Sequence, residues 1–218
     1  MAESESVEMY LKTILELEEA GGPVAIARVA ERLGVSTVSV NEMLKRLIER
    51  GFVSRAPYRG VNFTPEGRLS AIAVVRRHRL WECFLVERLG ISWEHSHDIA
   101  CSLEHATGAD VAERLAAYLG NPEVCPHGNA IPGPSAMSLE LTGTALAELA
   151  PGTSGRILRV FPEEVGLLEY LTARDLRPGT LLRLLELSPF DNLLTIDVDG
   201  RTHIVGQTVA NRVFVRQE

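Results

Sequence analysis

Apolar residues recur at helical spacing through the first two-thirds of the chain. In the last third they alternate or run together in short bursts. Met9, Tyr10, Ile14 and Leu17 fall roughly on one face of a helix predicted over 7–19, which Gly21-Gly22-Pro23 ends. A short amphipathic helix follows over 26–33 and closes at Gly34. Ser36 can cap a second helix to about Arg50, with Val40, Leu44, Leu47 and Ile48 inward. Two β-prone runs, 52–55 and 61–64, flank a Pro/Gly turn and predict a hairpin. Pro65 sits near the first position of a long helix to about Leu89, and further helices are predicted over 93–107 and 109–119. Residues 121–134 are rich in Pro and Gly and read as irregular, and 138–150 as a linker of marginal helix content. Beyond Pro151 come apolar bursts at 155–160, 180–187, 193–198 and 212–215. With an Asp199-Gly200 turn they predict a small barrel, interrupted by a short helix over 163–171.

Three helices followed by a hairpin make a winged helix, whose second helix-turn-helix element enters the major groove. Charge sharpens this. Residues 22–80 carry eleven Lys and Arg against four Glu, a net of +7, so the rest of the chain holds −14 of the overall −7. A basic module inside an acidic protein is the footprint of a localised DNA-binding face, although a winged helix can also serve as a protein-interaction module. The expected DNA-facing residues are Arg28, Ser36, Thr37, Ser39, Asn41 and Lys45, with Glu42 also outward. Arg55, Tyr58 and Arg59 on the wing are expected at phosphates or the minor groove.

The 218 residues fit one large domain or two to three small ones. No apolar run approaches the ~20 residues of a membrane span, and the acidic N-terminus is unlike a signal peptide, so a cytoplasmic protein is expected. Three cysteines are too few for a disulfide scaffold and leave thiolates available.

The chemistry concentrates in 78–105. On a helix, His97, Cys101, Glu104 and His105 share a face; Cys101, Glu104 and His105 lie at i, i+3 and i+4, so their heads converge over one turn. Such a turn supplies three metal ligands but not a closed shell, and Met9 can add a thioether. His78 and Glu82, one turn apart, join His97 as a second candidate site. Taken singly, each of these side chains is more often solvated, capped or, for Cys101, a small buried hydrophobe. Their clustering at turn spacing is what points to metal. His95, Cys83, Trp81 and His203 read as packing or surface, and Cys125-Pro126-His127 as a structured linker loop.

Several segments carry a resemblance: Glu8-Met9-Tyr10-Leu11-Lys12-Thr13-Ile14, Ala30-Glu31-Arg32-Leu33, Arg77-His78-Arg79-Leu80, His97-Asp98, Cys101, Glu104-His105 and Asn129-Ala130-Ile131-Pro132-Gly133. Together they resemble the diphtheria toxin repressor and iron-dependent regulator family over essentially the whole chain. The resemblance implies a mainly α protein with a small β domain: a winged helix-turn-helix (1–73), a helical dimerisation and metal-binding domain (74–137), a linker (138–150) and an SH3-like domain (151–218). It implies a homodimeric repressor of metal-uptake genes bound to a double-stranded operator. The implied primary site is Met9, Cys101, Glu104 and His105, and the ancillary site His78, Glu82 and His97. The family adds a Glu and a Gln from the third domain. Glu164, or its neighbour Glu163, can be that Glu, but Leu167 stands where the Gln would be.

The manganese branch of the family places carboxylates at the positions of Met9 and Cys101, where this chain has sulfur. Soft donors favour Fe(II), Co(II) and Ni(II) over Mn(II). Fe(II) is the expected co-repressor, Mn(II) the alternative, and Co(II), Ni(II) or Zn(II) possible surrogates. The wing, Tyr58-Arg59-Gly60, is more similar to the manganese branch. Two other classes compete: a zinc hydrolase using Glu82 or Glu104 as base, which lacks any HExxH-type motif, and a winged-helix regulator indifferent to metal.

Overall fold

The computed structural model describes residues 4–19, 24–56, 60–136, 139, 143–188 and 190–218. Backbone contacts divide the chain into two compact units, one of residues 1–80, 101–121 and 131–140, the other of 81–100, 122–130 and 141–218.

The first unit opens with α1 (Glu5–Glu19), α2 (Ile26–Leu33) and α3 (Thr37–Glu49). Gly34, in the left-handed conformation at φ 65°, stops α2 and donates to the Ala30 and Glu31 carbonyls. Only three residues separate α2 from α3, and the Ser36 hydroxyl caps α3 by accepting from the Ser39 amide. Strands β1 (Val53–Ala56) and β2 (Gly60–Phe63) pair antiparallel as the wing, and Val24 bridges to Val61. The Thr64 hydroxyl accepts from the Gly67 amide at 3.0 Å and opens α4 (Pro65–Glu87).

Leu11, Ile14 and Leu15 of α1 are fully buried with Val29, Val40, Leu44, Leu47, Val61 and Ala71 in one core. Each buried Leu, Ile or Val side chain contributes about 1.5–3 kcal/mol by leaving water, so α1 belongs energetically to the winged helix. Met9 and Ile48 depart from the expected apolar faces, at 40% and 36% exposure. The face that α1 buries is set by Val7, Leu11, Ile14 and Leu15 instead. The division between units falls inside α4 and inside α5 (Trp93–Glu104); α6 (Ala109–Tyr118) lies in the first unit.

The second unit is built on a six-stranded antiparallel sheet. Its strands are β3 (Thr144–Ala145), β4 (Ser154–Val160), β5 (Leu181–Leu187), β6 (Leu193–Val198), β7 (Arg201–Gly206) and β8 (Val213–Gln217), in the order β3-β8-β4-β5-β6-β7. Helix α7 (Val165–Thr172) connects β4 to β5, and the short α8 (Gln207–Ala210) connects β7 to β8. Leu168, Leu171, Leu184, Ile196, Val205 and Val213 fill its core. The apolar pattern assigns 138–150 to a linker. Instead, Thr144 and Ala145 pair with Val215 and Phe214, and Leu146 and Leu149 are buried in this core. Strand β7 is missing from the apolar bursts because Arg201, Thr202 and His203 carry polar side chains; pairing with β6, not hydropathy, makes it a strand. Among the described residues no helix is long and apolar enough to cross a membrane.

Candidate metal centre

In the first unit, α1, α4 and α5 bring a set of metal-binding side chains together. His78 on α4 is buried, and its Nδ1 lies 2.6 Å from Glu104 Oε2 at the end of α5. Cys101 Sγ is 3.9 Å from the same nitrogen. His105 falls just past the end of α5, yet its Nε2 is 3.3 Å from Glu104 Oε1. Three members of the expected primary set, Cys101, Glu104 and His105, therefore converge with His78. The fourth, Met9, is 40% exposed rather than packed among them.

Two α1 residues complete the cluster, and helical spacing of ligand types gave no sign of either. Glu8 takes Arg77 Nη2 at 2.6 Å on one oxygen and His105 Nδ1 at 2.8 Å on the other. A carboxylate that holds Nδ1–H leaves Nε2 as the metal-facing atom, the usual support for a ligating histidine. The second is Lys12, 7% exposed, with Nζ 2.8 Å from Glu104 Oε2, 2.9 Å from His78 Nδ1 and 3.5 Å from Cys101 Sγ. Burial pushes the Glu104 carboxyl up, but the His78 hydrogen bond and the Lys12 charge hold it below the ordinary carboxylate range. Carboxylate, imidazole and thiolate thus point at one small volume already arranged around a positive charge. That donor set fits a divalent ion of intermediate softness.

The second unit holds a separate cluster. Donor atoms of Glu82, Cys125, His127 and Glu163, all buried, lie within 4.8 Å of one another. His127 Nδ1 is 3.2 Å from Glu82 Oε1, and His97 Nδ1 is 3.4 Å from the same oxygen. Donors on a tetrahedral metal stand about 3.3–3.8 Å apart, so these four side chains fit an ion with little adjustment. The loop that supplies two of them is tightly specified. The Cys125 amide donates to the Asn129 carbonyl and the Gly128 amide to the Cys125 carbonyl. Gly128 has φ +82°, and a Cβ there would lie 1.9 Å from the Leu158 carbonyl oxygen, so no other residue fits. Asn129 donates to both Val160 O and Glu163 Oε1. His127 Nε2, 2.8 Å from the Trp93 carbonyl, carries its proton there, which leaves Nδ1 facing Glu82. Burial lowers the pKa of the His127 imidazole, but Glu82 and Cys125 outweigh it and raise the value well above normal.

Each of the expected ancillary residues His78, Glu82 and His97 belongs to a group of potential metal donors. Glu82 and His97 lie together in the second unit, while His78 lies with Glu104 in the first. Glu164 pairs with Arg212 at 2.7 Å on the surface, because it precedes α7 with its side chain outward. Its neighbour Glu163 is the buried carboxylate. Leu167 is buried in the barrel core and offers no donor. Cys125 and His127, expected to be no more than a structured loop, are part of the second cluster.

On the winged helix, Ser36, Thr37, Ser39 and Lys45 are exposed, and Arg28 and Asn41 half-buried. The Asn41 amide donates to the Thr37 carbonyl, and its oxygen lies 3.4 Å from Arg55 Nη2 on the wing. Tyr58 and Arg59 lie outside the described residues. Val38, 67% exposed on α3 beside Thr37, was not expected on this face because valine reads as core.

Residues 3–61 match the iron dependent repressor N-terminal DNA binding domain. Residues 64–133 match the iron dependent repressor metal binding and dimerisation domain, and 144–217 the FeoA domain. The chain is 36% identical to the iron-dependent repressor IdeR of Mycobacterium leprae over 204 residues, 88% of each chain. It is 44% identical to IdeR of Mycobacterium tuberculosis over 129 residues, 59% of this chain and 56% of that one. Its fold is similar to a manganese-dependent transcriptional repressor in complex with manganese, with a TM-score of 0.91, 32% identity, and 97% of this chain and 100% of that one covered.

Proposed function

The chain belongs to the iron-dependent repressor family and is a metal-dependent, DNA-binding transcriptional repressor, and from that premise we propose that Fe(II) is its co-repressor. The ion is held by Met9, Cys101, Glu104 and His105, with His78 beside them. Thiolate and thioether donors favour Fe(II), with Co(II), Ni(II) and Zn(II) as surrogates, over the harder Mn(II). The similarity to a manganese-dependent repressor supports Mn(II) as a second reading. The protein acts in the cytoplasm as a homodimer on a double-stranded operator of metal-uptake genes, and it is a regulator rather than an enzyme.

One observation carries the switch: α1 serves both the DNA reader and the cluster. Leu11, Ile14 and Leu15 anchor it in the winged-helix core, while Glu8 and Lys12 contact His105, Glu104, His78 and Cys101. When Met9 and Glu8 engage the loaded centre, α1 is held in one pose, and with it the recognition helix α3. Differential metal affinity for that pose is the driving force, so operator and metal must strengthen each other's binding by equal factors. Arg28, Ser36, Thr37, Ser39, Asn41, Lys45 and Arg55, with Tyr58 and Arg59 from the wing, form the DNA contacts. Val38 offers a methyl-bearing surface to a thymine 5-methyl group.

Glu82, Cys125, His127 and Glu163, with His97 adjacent, make a second metal centre in the barrel-bearing unit. Glu163 takes the role considered for Glu164. Equilibrium dialysis of chelator-stripped protein with Fe(II) tests both centres. The expected result is loss of one bound ion in Cys101→Ala and of the other in Glu82→Gln; unchanged stoichiometry in either variant removes that centre.

A further inference from the structure

Lys12 places a full positive charge at the point where the donors of the first cluster converge. Its Nζ contacts Glu104 Oε2, His78 Nδ1 and Cys101 Sγ at 2.8, 2.9 and 3.5 Å, and the side chain is almost entirely buried. An ammonium has three N–H donors and no acceptor. Here they face three atoms that are each metal ligands by type. The lone pairs of Glu104 Oε2 and Cys101 Sγ that would bind a divalent ion are therefore the ones this ammonium occupies.

We propose that Lys12 is a tethered cation that competes with the metal for the first cluster and sets the metal concentration at which the repressor switches. The inference rests on the reading of Cys101, Glu104 and His105 as the metal-binding set. Ammonium and divalent ion cannot share the volume: both need Glu104 Oε2, and like charges repel strongly at such distances. Metal entry requires Lys12 to swing outward on its flexible four-carbon stem. Met9 lies three residues earlier on α1, about one turn away, and is exposed while Lys12 is buried. An exchange of the two, Lys12 out and Met9 in, loads the centre without unseating α1 from the winged-helix core. In the metal-free protein the same lysine keeps Cys101, Glu104 and His78 together and neutralises them, so the donors neither repel nor scatter. Apparent metal affinity is then the intrinsic affinity reduced by the fraction of molecules in which Lys12 has left.

The test is anaerobic titration of Co(II) into chelator-stripped, full-length protein carrying Cys125→Ser, so that the thiolate-to-cobalt absorption band reports Cys101. Lys12→Leu and Lys12→Gln remove the charge, and Lys12→Arg retains it; circular dichroism establishes that each variant folds. The expected result is about tenfold tighter binding, or more, in both uncharged variants, as follows from a Lys12-in state populated at least 9:1. Lys12→Arg should stay near the parent affinity. Equal or weaker binding in folded Lys12→Leu and Lys12→Gln overturns the proposal and makes Lys12 a supporting ion-pair partner. Absence of a Cys101-dependent band in the Lys12-bearing parent overturns the assignment of the metal centre itself, and the competition with it.

Discussion

The two clusters are built from nearly the same residue types and differ in what surrounds them. The first combines Cys101, Glu104, His105 and His78 with a buried lysine and a half-exposed Met9. The second seals Glu82, Cys125, His127 and Glu163 among buried neighbours, with a glycine-specified loop and an asparagine brace. A centre that carries its own counter-charge and has one donor at the surface can fill and empty as metal concentration changes. A centre whose donors are held by tight turns in the interior gains stability from its ion and gives it up slowly. On the function proposed above, similar ligands serve as a sensor in one place and as a clamp in the other.

Cys101→Ala should have the largest effect. It removes the thiolate from the first cluster and should abolish metal-dependent operator binding while the protein still elutes as a folded dimer; gel filtration and operator titration check this. Undiminished metal-dependent affinity in that variant would mean that the first cluster is not the sensor. Next in size is Glu82→Gln. Losing a buried charged ligand should cost the second centre its ion and lower the melting temperature of the protein prepared with metal, with operator affinity nearly unchanged. A collapse of operator affinity comparable to that in Cys101→Ala would erase the distinction between sensor and clamp.

Glu8→Gln sharpens the comparison from the ligand's second neighbour. The amide no longer supplies charge to His105 Nδ1–H or to Arg77, and metal affinity at the first centre should fall about tenfold, with the second centre untouched. The smallest effect concerns acid stability. Burial pushes the Glu94 carboxyl up, but hydrogen bonds from Thr172 and neighbouring groups hold it below its ordinary value of 4.5. Its contribution is therefore fully present above that value and lost as pH falls through the depressed one. Glu94→Gln should lower the stability of the metal-free protein at neutral pH, with the difference from the parent shrinking as pH falls below about 4.5. An identical acid midpoint and slope would remove Glu94 from the account.

The winged helix and the convergence of Cys101, Glu104 and His105 could be read in the sequence because their information is local. Ser36 capping α3, Gly34 ending α2 and the i, i+3, i+4 spacing of Cys101, Glu104 and His105 each follow from residues within one or two turns. The missed features depend on contacts between distant segments. Lys12 reads as a solvated charge until Glu104, 92 positions later, lies beside it. Cys125 and His127 read as loop until Glu82 and Glu163 meet them, and nothing local distinguishes Glu163, which faces inward, from Glu164, which pairs with Arg212. Strand β7 became visible only through its pairing with β6.

The central claim is that metal bound through Cys101, Glu104 and His105 governs DNA binding. Fluorescence anisotropy tests it most directly, using chelator-stripped protein on DNA fragments from upstream of its own gene, titrated anaerobically with Fe(II) and Mn(II) in parallel. The account predicts weak binding without metal and a tightening that occurs at lower free Fe(II) than Mn(II). Equal affinity with and without chelator would contradict it.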